Sequence, residues 1–296
     1  MSSCDIAFVG HMCLERIVPF EGPAQAAPGS AVLCGAMAAA RIGKKVAVVA
    51  KMAPADEEIL DPMRRAGIET FVIPAEQTTF MEVIHPTADV DVRLMFQRKN
   101  AGFFRVEDVP ALDSRHWHLA GITDREFTMD FLLAMRRRTR SLSVDMQSFV
   151  RQVDEETHMV AFADAKDKRR IAALMDKLKL DVVEAKILTG MDDIERAAVE
   201  VESWGCGEVV ITRSEGALAR AGGRTWYEKF SNANSSGRTG RGDTAFAAYL
   251  ARRMDHDVGE SLKFAAALVS IKMETPCPFR GTLDAVLARM RERHGG

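Results

Sequence analysis

Short apolar runs recur along the chain at "DIAFVG" (5–10), "KVAVVAKM" (45–52), "HWHLAGI" (116–122), "LSVDMQ" (142–147), "LDVVEA" (180–185) and "EVVITRS" (208–214), and each predicts a strand. Helical patterns lie between most of them, in "AVLCGAMAAARIG" (31–43), "DEEILDPMRRAG" (56–67), "FTMDFLLAMRRRTR" (127–140), "KRRIAALMDKL" (168–178) and "DIERAAVEVESWG" (193–205). Strands alternating with helices of this length need right-handed crossovers between parallel neighbours, with helices covering both sheet faces. The expected fold class is therefore α/β: a three-layer α/β/α sandwich around a mostly parallel, Rossmann-like sheet.

Residues 70–98 break the rhythm. Period-2 alternation in "TTFMEVI" (78–84) and "DVRLMFQ" (91–97), separated by Pro86-Thr87-Ala88-Asp89, predicts an antiparallel hairpin. With "HMCLERIVPF" (11–20) it fits either a small sheet standing off the main body, as a lid or a dimer surface, or an edge extension of the main sheet. The expected organisation is one domain over 1–296, with lid strands from about 11–20 and 73–98. Arg136, Arg137, Arg138 and Arg140 fall at a predicted helix C-terminus, where cations complement the dipole, and read as a solvated helix end.

Composition narrows the partners. The 296 residues carry 40 basic and 42 acidic side chains, a net charge of −2, so no global field draws the chain to nucleic acid or anionic lipid. Small neutral or phosphorylated ligands are the expected partners, with no nucleic acid and no membrane. Cys4, Cys13, Cys34, Cys206 and Cys277 are odd in number and lack metal or disulfide spacing, which suits a reducing cytoplasm. The start "MSSCDIAFVG" has no basic leader, and no apolar run reaches membrane-spanning length, so a cytoplasmic location is expected. His116 and His118 share one face of a predicted strand with no carboxylate motif nearby and read as structural; Cys34 reads as a small buried apolar residue.

The candidate chemistry lies in "GRTGRGDTAFAAYL" (237–250), where glycines 237, 240 and 242 and a lone acid precede an apolar helical run. Glycine lets backbone amides at a helix start approach a phosphate, and Asp243 there is placed to take a proton from an acceptor hydroxyl. The segment is not a Walker A loop, since no Gly-Lys-Ser/Thr follows, nor a dinucleotide fingerprint, which belongs near the first strand.

"TGRGDTAFAAYL" resembles the C-terminal signature of the ribokinase-like (PfkB) carbohydrate kinases: Gly240, Gly242, Asp243 and Thr244 coincide with it, and Arg241 stands where alanine is usual. The resemblance implies an anion hole of amides at Gly240, Arg241 and Gly242, with Asp243 as catalytic base. "VVITRSEGALA" (209–219) looks like the family's nucleotide element, which implies donor contacts at Thr212, Ser214 and Gly216, with Thr239 in the C-terminal signature a further candidate. "DVVEAKILTG" (181–190) resembles the segment that influences magnesium, implying a metal role for Glu184; "SVDMQSFVR" (143–151) parallels a further family segment, with Gln147 for asparagine. "PGSAVLCGAMAAARIGKKVAVVAKM" (28–52) looks like the sugar-binding signature. Glu15, Gly29, Ser30 and Cys34 then mark the acceptor pocket, with Glu15 and Cys34 replacing the usual aspartate and asparagine. Arg93 and Gln97, four apart on the predicted lid strand, are candidates to reach over the substrate.

The resemblance implies ATP and Mg2+ as cofactors, allows a monovalent cation, and favours a homodimer. The expected function is ATP-dependent phosphorylation of a hydroxyl on a small sugar, polyol or nucleoside. Two alternatives stand beside it: a catalytically weak nucleotide- or metabolite-binding protein on the same fold, suggested by the altered pocket, and a dinucleotide-dependent Rossmann-type enzyme.

Overall fold

The computed structural model describes residues 3–89, 92–276 and 278–294; Cys277 lies outside the described residues. The strands are β1 (Ser3–His11), β2 (Cys13–Val18), β3 (Gln25–Gly29), β4 (Val46–Met52), β5 (Glu69–Pro74), β6 (Thr79–Ile84), β7 (Leu94–Lys99), β8 (Asp113–Leu119), β9 (Leu142–Asp145), β10 (Arg151–Val153), β11 (Val160–Phe162), β12 (Lys177–Asp181), β13 (Glu208–Arg213), β14 (Gly216–Ala221) and β15 (Arg224–Lys229). The helices are α1 (Ala31–Arg41), α2 (Asp61–Arg65), α3 (Met129–Arg138), α4 (Gln147–Val150), α5 (Lys168–Ala173), α6 (Val182–Thr189), α7 (Ile194–Ser203), α8 (Arg241–Arg253), α9 (Val258–Met273) and α10 (Leu283–His294).

The large sheet runs β15-β14-β13-β12-β9-β8-β1-β4-β5. Pairings from β13 to β5 are parallel, and β14 and β15 add an antiparallel edge. The chain winds outward from β1 in one direction through β4 and β5, then in the other through β8, β9, β12 and β13. Such a reversal opens a crevice at the carboxyl ends of the strands, where ligands bind in open α/β sheets. Alternation along the strands feeds two cores: Ile6, Phe8, Val46 and Val48 pack with α1, α8 and α9, while Ala7, Val9, Ala47 and Val49 pack with α3 and α7. Among the described residues no helix is long and apolar enough to cross a membrane.

A second sheet, β3-β2-β6-β7, stands beside the crevice. It includes the expected hairpin, recruits Gln25–Gly29 as an additional strand, and leaves Ile73 and Pro74 to β5 of the large sheet. Buried His11 ties the two sheets together. Its ring lies 2.8 Å from Thr79 Oγ1 and 2.9 Å from the Gly102 carbonyl, and its backbone N–H donates to Glu126 at 2.9 Å.

Several elements depart from their sequence expectation for identifiable reasons. The run 180–185 is half strand, half helix: Asp181 caps α6 by accepting from Val183 and Glu184 N–H, and Glu184 reaches back to the Asp181 N–H. This capping box starts a helix inside an apolar run. The helix expected over 56–67 divides into a 3-10 turn, Pro54–Leu60, and α2, which carries Pro62 in its first turn. α5 stops at Ala173 because β12 begins at Lys177. Arg136 and Arg138 are not simply solvated. Arg136 pairs with Asp176 at 2.6 Å and binds the Thr139 carbonyl, and Arg138 holds the carbonyls of Val106 and Val109.

His116 and His118 are buried and structural. His116 bonds the hydroxyls of Ser141 and Ser143, and His118 bonds Ser143 at 3.0 Å between the rings of Phe8 and Phe246. Burial holds both imidazoles neutral, pushing His118 down to about 3. An unfolded histidine takes up a proton near pH 6.5 while these do not, so their contribution to stability is lost as pH falls below that point. A His118→Gln variant is expected to lose less stability than the parent between pH 7 and pH 5, read as the difference in urea midpoints. Equal losses would remove His118 from the pH response.

Candidate active site

The carboxyl ends of β9, β12 and β13 converge on the N-terminus of α8. Gly240, before the first turn, has φ 75°, the left-handed region that favours glycine. A Cβ at Gly240 would also stand 2.4 Å from Cys34 Sγ on α1, so the turn needs glycine for both shape and space. The Arg241 N–H donates to the Arg238 carbonyl at 3.1 Å, so this amide is occupied within the turn, unlike the expected outward anion-hole donor. The first i→i−4 bond of this helix runs from Thr244 N–H to the Gly240 carbonyl at 3.0 Å, which leaves the first-turn amides of Gly242 and Asp243 as orphan donors of the helix N-terminus.

Beneath this turn a Cβ at Gly242 would come 3.0 Å from Lys179 Nζ and 3.6 Å from Thr212 Oγ1. The floor of the turn is thus an ammonium and a hydroxyl. Gln147 on α4 donates to the Gly121 carbonyl at 2.7 Å and to Asp243 Oδ1 at 3.4 Å, orienting the Asp243 carboxylate. Gly240→Ala is expected to cut turnover at least tenfold by forcing the turn open, an effect of the size seen when one positioned donor is lost. Near-parental kcat in this variant would show that the turn geometry is irrelevant to the reaction.

The charges around the turn are densely coupled. Lys179 Nζ lies 2.9 Å from Asp145 and 3.8 Å from Glu184, all three buried, and Arg151 lies 3.6 Å from Glu184. Burial works against the Lys179 ammonium, but Asp145 and Glu184 outweigh it and raise its affinity for the proton. Burial lifts the Glu184 carboxyl to about 7, with Lys179 opposing and Asp181 and Asp145 adding to the rise. Glu15 is raised by burial and then by the facing Asp243 carboxylate, while Arg151 and Arg93 pull it back. Burial and the neighbouring charge of Arg238 bring Arg241 down to about 10, with Arg93 adding to the effect. Partial desolvation on the crevice side, then Arg151, lowers Arg93 as well, although the residue as a whole is exposed. Four guanidiniums, from Arg93, Arg151, Arg238 and Arg241, therefore share the crevice with Glu15, Asp181, Glu184 and Asp243.

On the small-sheet side, Gly29 sits against Glu15, whose carboxyl carbon would be 2.2 Å from a Cβ there. Ser30 caps α1 by accepting from Leu33 N–H at 3.0 Å and is held at φ 151°, a conformation rare for a residue with a side chain. Cys34 is buried against the turn. Arg93 just precedes β7 and faces the crevice charges, whereas Gln97 is buried in β7 and engaged by Thr123 and Asn100 at 3.1 Å each. The two do not act as a pair. Thr212 is buried at the end of β13; Ser214 is exposed and bonded to Glu215; the Thr239 carbonyl receives Lys272. Gly216 has a packing reason of its own, since a Cβ would meet the Glu228 carbonyl at 2.5 Å and the Tyr227 hydroxyl at 2.6 Å.

Asp145, Lys179, Arg151 and Arg238 also belong to this crevice and were not among the sequence candidates. Lys179 fell between a helix expected over 168–178 and a strand expected over 180–185, so its place on β12 was not legible in the pattern. Asp145 and Arg151 fall within the family-like segment 143–151, though neither was given a role there; Arg238 lies in the loop before α8, and only the assembled chain brings the three together.

Comparison with known proteins decides the family. Residues 24–277 match the pfkB family carbohydrate kinases. The chain belongs to that family. It is a kinase, and its sheet and helices follow the ribokinase fold. A cytidine kinase of Thermococcus kodakarensis is 23% identical over 218 residues, 71% of this chain and 73% of that protein. A pyrophosphate-dependent kinase of the ribokinase family, solved with a pyrophosphate analog and myo-inositol, superposes with TM-score 0.87 at 28% identity, covering 96% of this chain and 99% of that one. Arabidopsis thaliana ribokinase, solved with ribose and ATP, gives TM-score 0.77 at 16% identity over 98% of this kinase and 99% of the plant chain.

Proposed function

We propose that this kinase transfers a phosphoryl group to a hydroxyl of a small sugar, polyol or nucleoside, with Asp243 as general base. The observation that carries this reading is the placement of the Asp243 carboxylate: within reach of Gln147 at 3.4 Å, electrostatically coupled to Glu15, and adjoining a left-handed glycine turn at a helix N-terminus. Phosphoryl transfer passes through a loose transition state, so catalysis needs positioned reactants and fixed donors more than covalent chemistry. The amides of Gly242 and Asp243, over Lys179 and Thr212, receive the charge on the moving group. Glu15 accepts hydrogen bonds from acceptor hydroxyls, with Gly29, Ser30 and Cys34 shaping the pocket wall and Arg93 above it. Asp243 takes the hydroxyl proton as the oxygen attacks. Thr212, Ser214, Gly216 and Thr239 border the donor side.

Magnesium suits this donor set as an ion carried mainly on phosphates and water. Glu184 Oε1 is buried, makes no hydrogen bond and lies 3.6 Å from Arg151; a carboxylate there would act on such an ion only through intervening water, and Mg2+ commonly keeps several waters. When bound, the ion would offset negative charge on the donor phosphates. ATP is the donor implied by the family signature, and a homodimer joined through the small sheet, with Phe20, Val92 and Leu94 exposed, is part of the same proposal. Light scattering at assay concentration that returns the mass of one chain removes the dimer.

A second reading of the donor rests on the arginines. Four guanidiniums around one turn suit a compact polyanion recognised by charge alone, and the 28%-identical relative is pyrophosphate-dependent. Both donors are tested together by incubating the enzyme with Mg2+ and either ATP or pyrophosphate against myo-inositol, ribose and cytidine, with phosphorus NMR of the products. A new phosphate monoester from one donor assigns it. Binding of the acceptors without any monoester favours a binding protein and sinks the kinase chemistry proposed here.

A further inference from the structure

Lys272 is a buried lysine on a helix whose other buried residues are mostly apolar. It lies at the C-terminal end of α9, is 1% exposed, and points its ammonium at the loop that leads into the glycine turn. Its Nζ donates to two backbone carbonyls, those of Gly237 and Thr239. The same loop is stitched to this end of α9 elsewhere: Gly237 N–H donates to the Met273 carbonyl at 2.8 Å, and Ser236 Oγ donates to the Glu274 carbonyl at 3.0 Å. The fit is tight, since a Cβ at Gly237 would stand 1.9 Å from the Thr275 carbonyl oxygen and 2.5 Å from that of Lys272.

Backbone carbonyls converging on a cation away from water form the kind of site that replaces the hydration shell of a monovalent ion such as potassium. Here those oxygens already hold an ammonium. A bound monovalent cation at these carbonyls therefore does not fit the residues present, because the Lys272 head occupies the place. Burying an ammonium costs much of its hydration free energy, and the cost is met only where oxygen dipoles are fixed around it.

We propose that Lys272 is a positioning residue whose ammonium serves as a built-in monovalent cation, holding the 237–239 carbonyls so that the turn presents its amides, and making the reaction independent of added potassium. The role in turnover rests on the proposed kinase reading; the cation cradle does not. Two carbonyls drawn toward one positive charge fix the peptide planes immediately before Gly240. The same charge adds to the positive field at the helix N-terminus.

The test compares the parent with Lys272→Ala, which empties the space, and Lys272→Met, which keeps the stem and removes the charge. Each is assayed in potassium, ammonium, sodium and choline chloride, and each is followed by thermal unfolding in the same salts. Parent turnover is expected to vary less than about twofold among the four salts. In choline, Lys272→Ala should lose at least about tenfold in kcat, recover most of it with potassium or ammonium, and melt higher in those salts than in sodium. Lys272→Met should be as slow and gain nothing from any salt, since its stem fills the cradle.

Marked activation of the parent by potassium overturns the proposal, as does a folded Lys272→Ala protein that keeps parental kcat or is indifferent to every cation. Should both variants fail to fold, salt dependence of the parent alone decides. The melting temperatures test the cradle even if no donor and acceptor give turnover, so failure of the kinase reading and failure of this inference remain distinguishable.

Discussion

Asp243→Asn is expected to lower kcat by roughly 10²–10⁴-fold, the usual scale for a lost general base, while the fold and donor affinity persist. The amide keeps the shape of the side chain and can still meet Gln147, 3.4 Å away in the parent, so the N-terminus of α8 has no reason to rearrange. On the proposed mechanism, what disappears is the ability to accept the acceptor's proton. Steady-state kinetics should therefore show the loss in kcat with KM changed little, the pattern of an interaction made in the transition state. Glu15 faces the same carboxylate and is raised by it after burial, so the Asn variant should also bring the Glu15 carboxyl down. An Asn variant with parental kcat would remove Asp243 from the chemistry.

Lys179→Met should have the largest effect on stability. Lys179 and Asp145 are 3% and 2% exposed and 2.9 Å apart, and Glu184 lies 3.8 Å from the same ammonium. Removing the cation leaves two buried carboxyls without their main counter-charge, a loss of about 3–5 kcal/mol for a broken buried pair. The stranded acids relieve this by taking up protons. Burial already raises Asp145 and Glu184 above their ordinary range, and both go higher without Lys179. An acid whose folded pKa exceeds its unfolded one loses stability as pH rises through the folded value, so the deficit of Lys179→Met should shrink from pH 8 to pH 5. Urea midpoints of parent and variant across that range provide the check. A deficit that does not vary with pH would mean that lost packing, rather than unpaired charge, causes it. Replacing Asp145 by Asn in the same protein should recover part of the loss, since neighbours in one network do not add.

Much of the fold could be read before any coordinates. β1, β4, β8, β9 and β13 fall on the apolar runs singled out in the chain, and α1, α3 and α7 on the helical patterns between them. Those segments are long enough, and uniform enough in period, for burial on two faces to leave one solution. The errors cluster where local chemistry competes with hydrophobic pattern. Val182 and Val183 read as strand because they are apolar and β-branched, yet the Asp181–Glu184 capping box turns them into the start of α6. The hairpin of β14 and β15 and the helices α9 and α10 were not singled out, although α9 supplies the lysine that holds the loop before the glycine turn.

The chain order alone determined a parallel α/β body and a glycine turn ending in an acid at a helix start, because periodicity, glycine and capping are local properties carried by neighbouring residues. Its motifs, in their family order, were also sufficient to name the kinase family. Only the tertiary structure decided which charges meet. Lys179 lies under Gly242, Cys34 against Gly240, Glu15 against Gly29, and Lys272 on the carbonyls of Gly237 and Thr239. Each of these contacts joins residues far apart in the chain or on separate elements. Their energy depends on distance and burial in three dimensions, which sequence spacing does not encode.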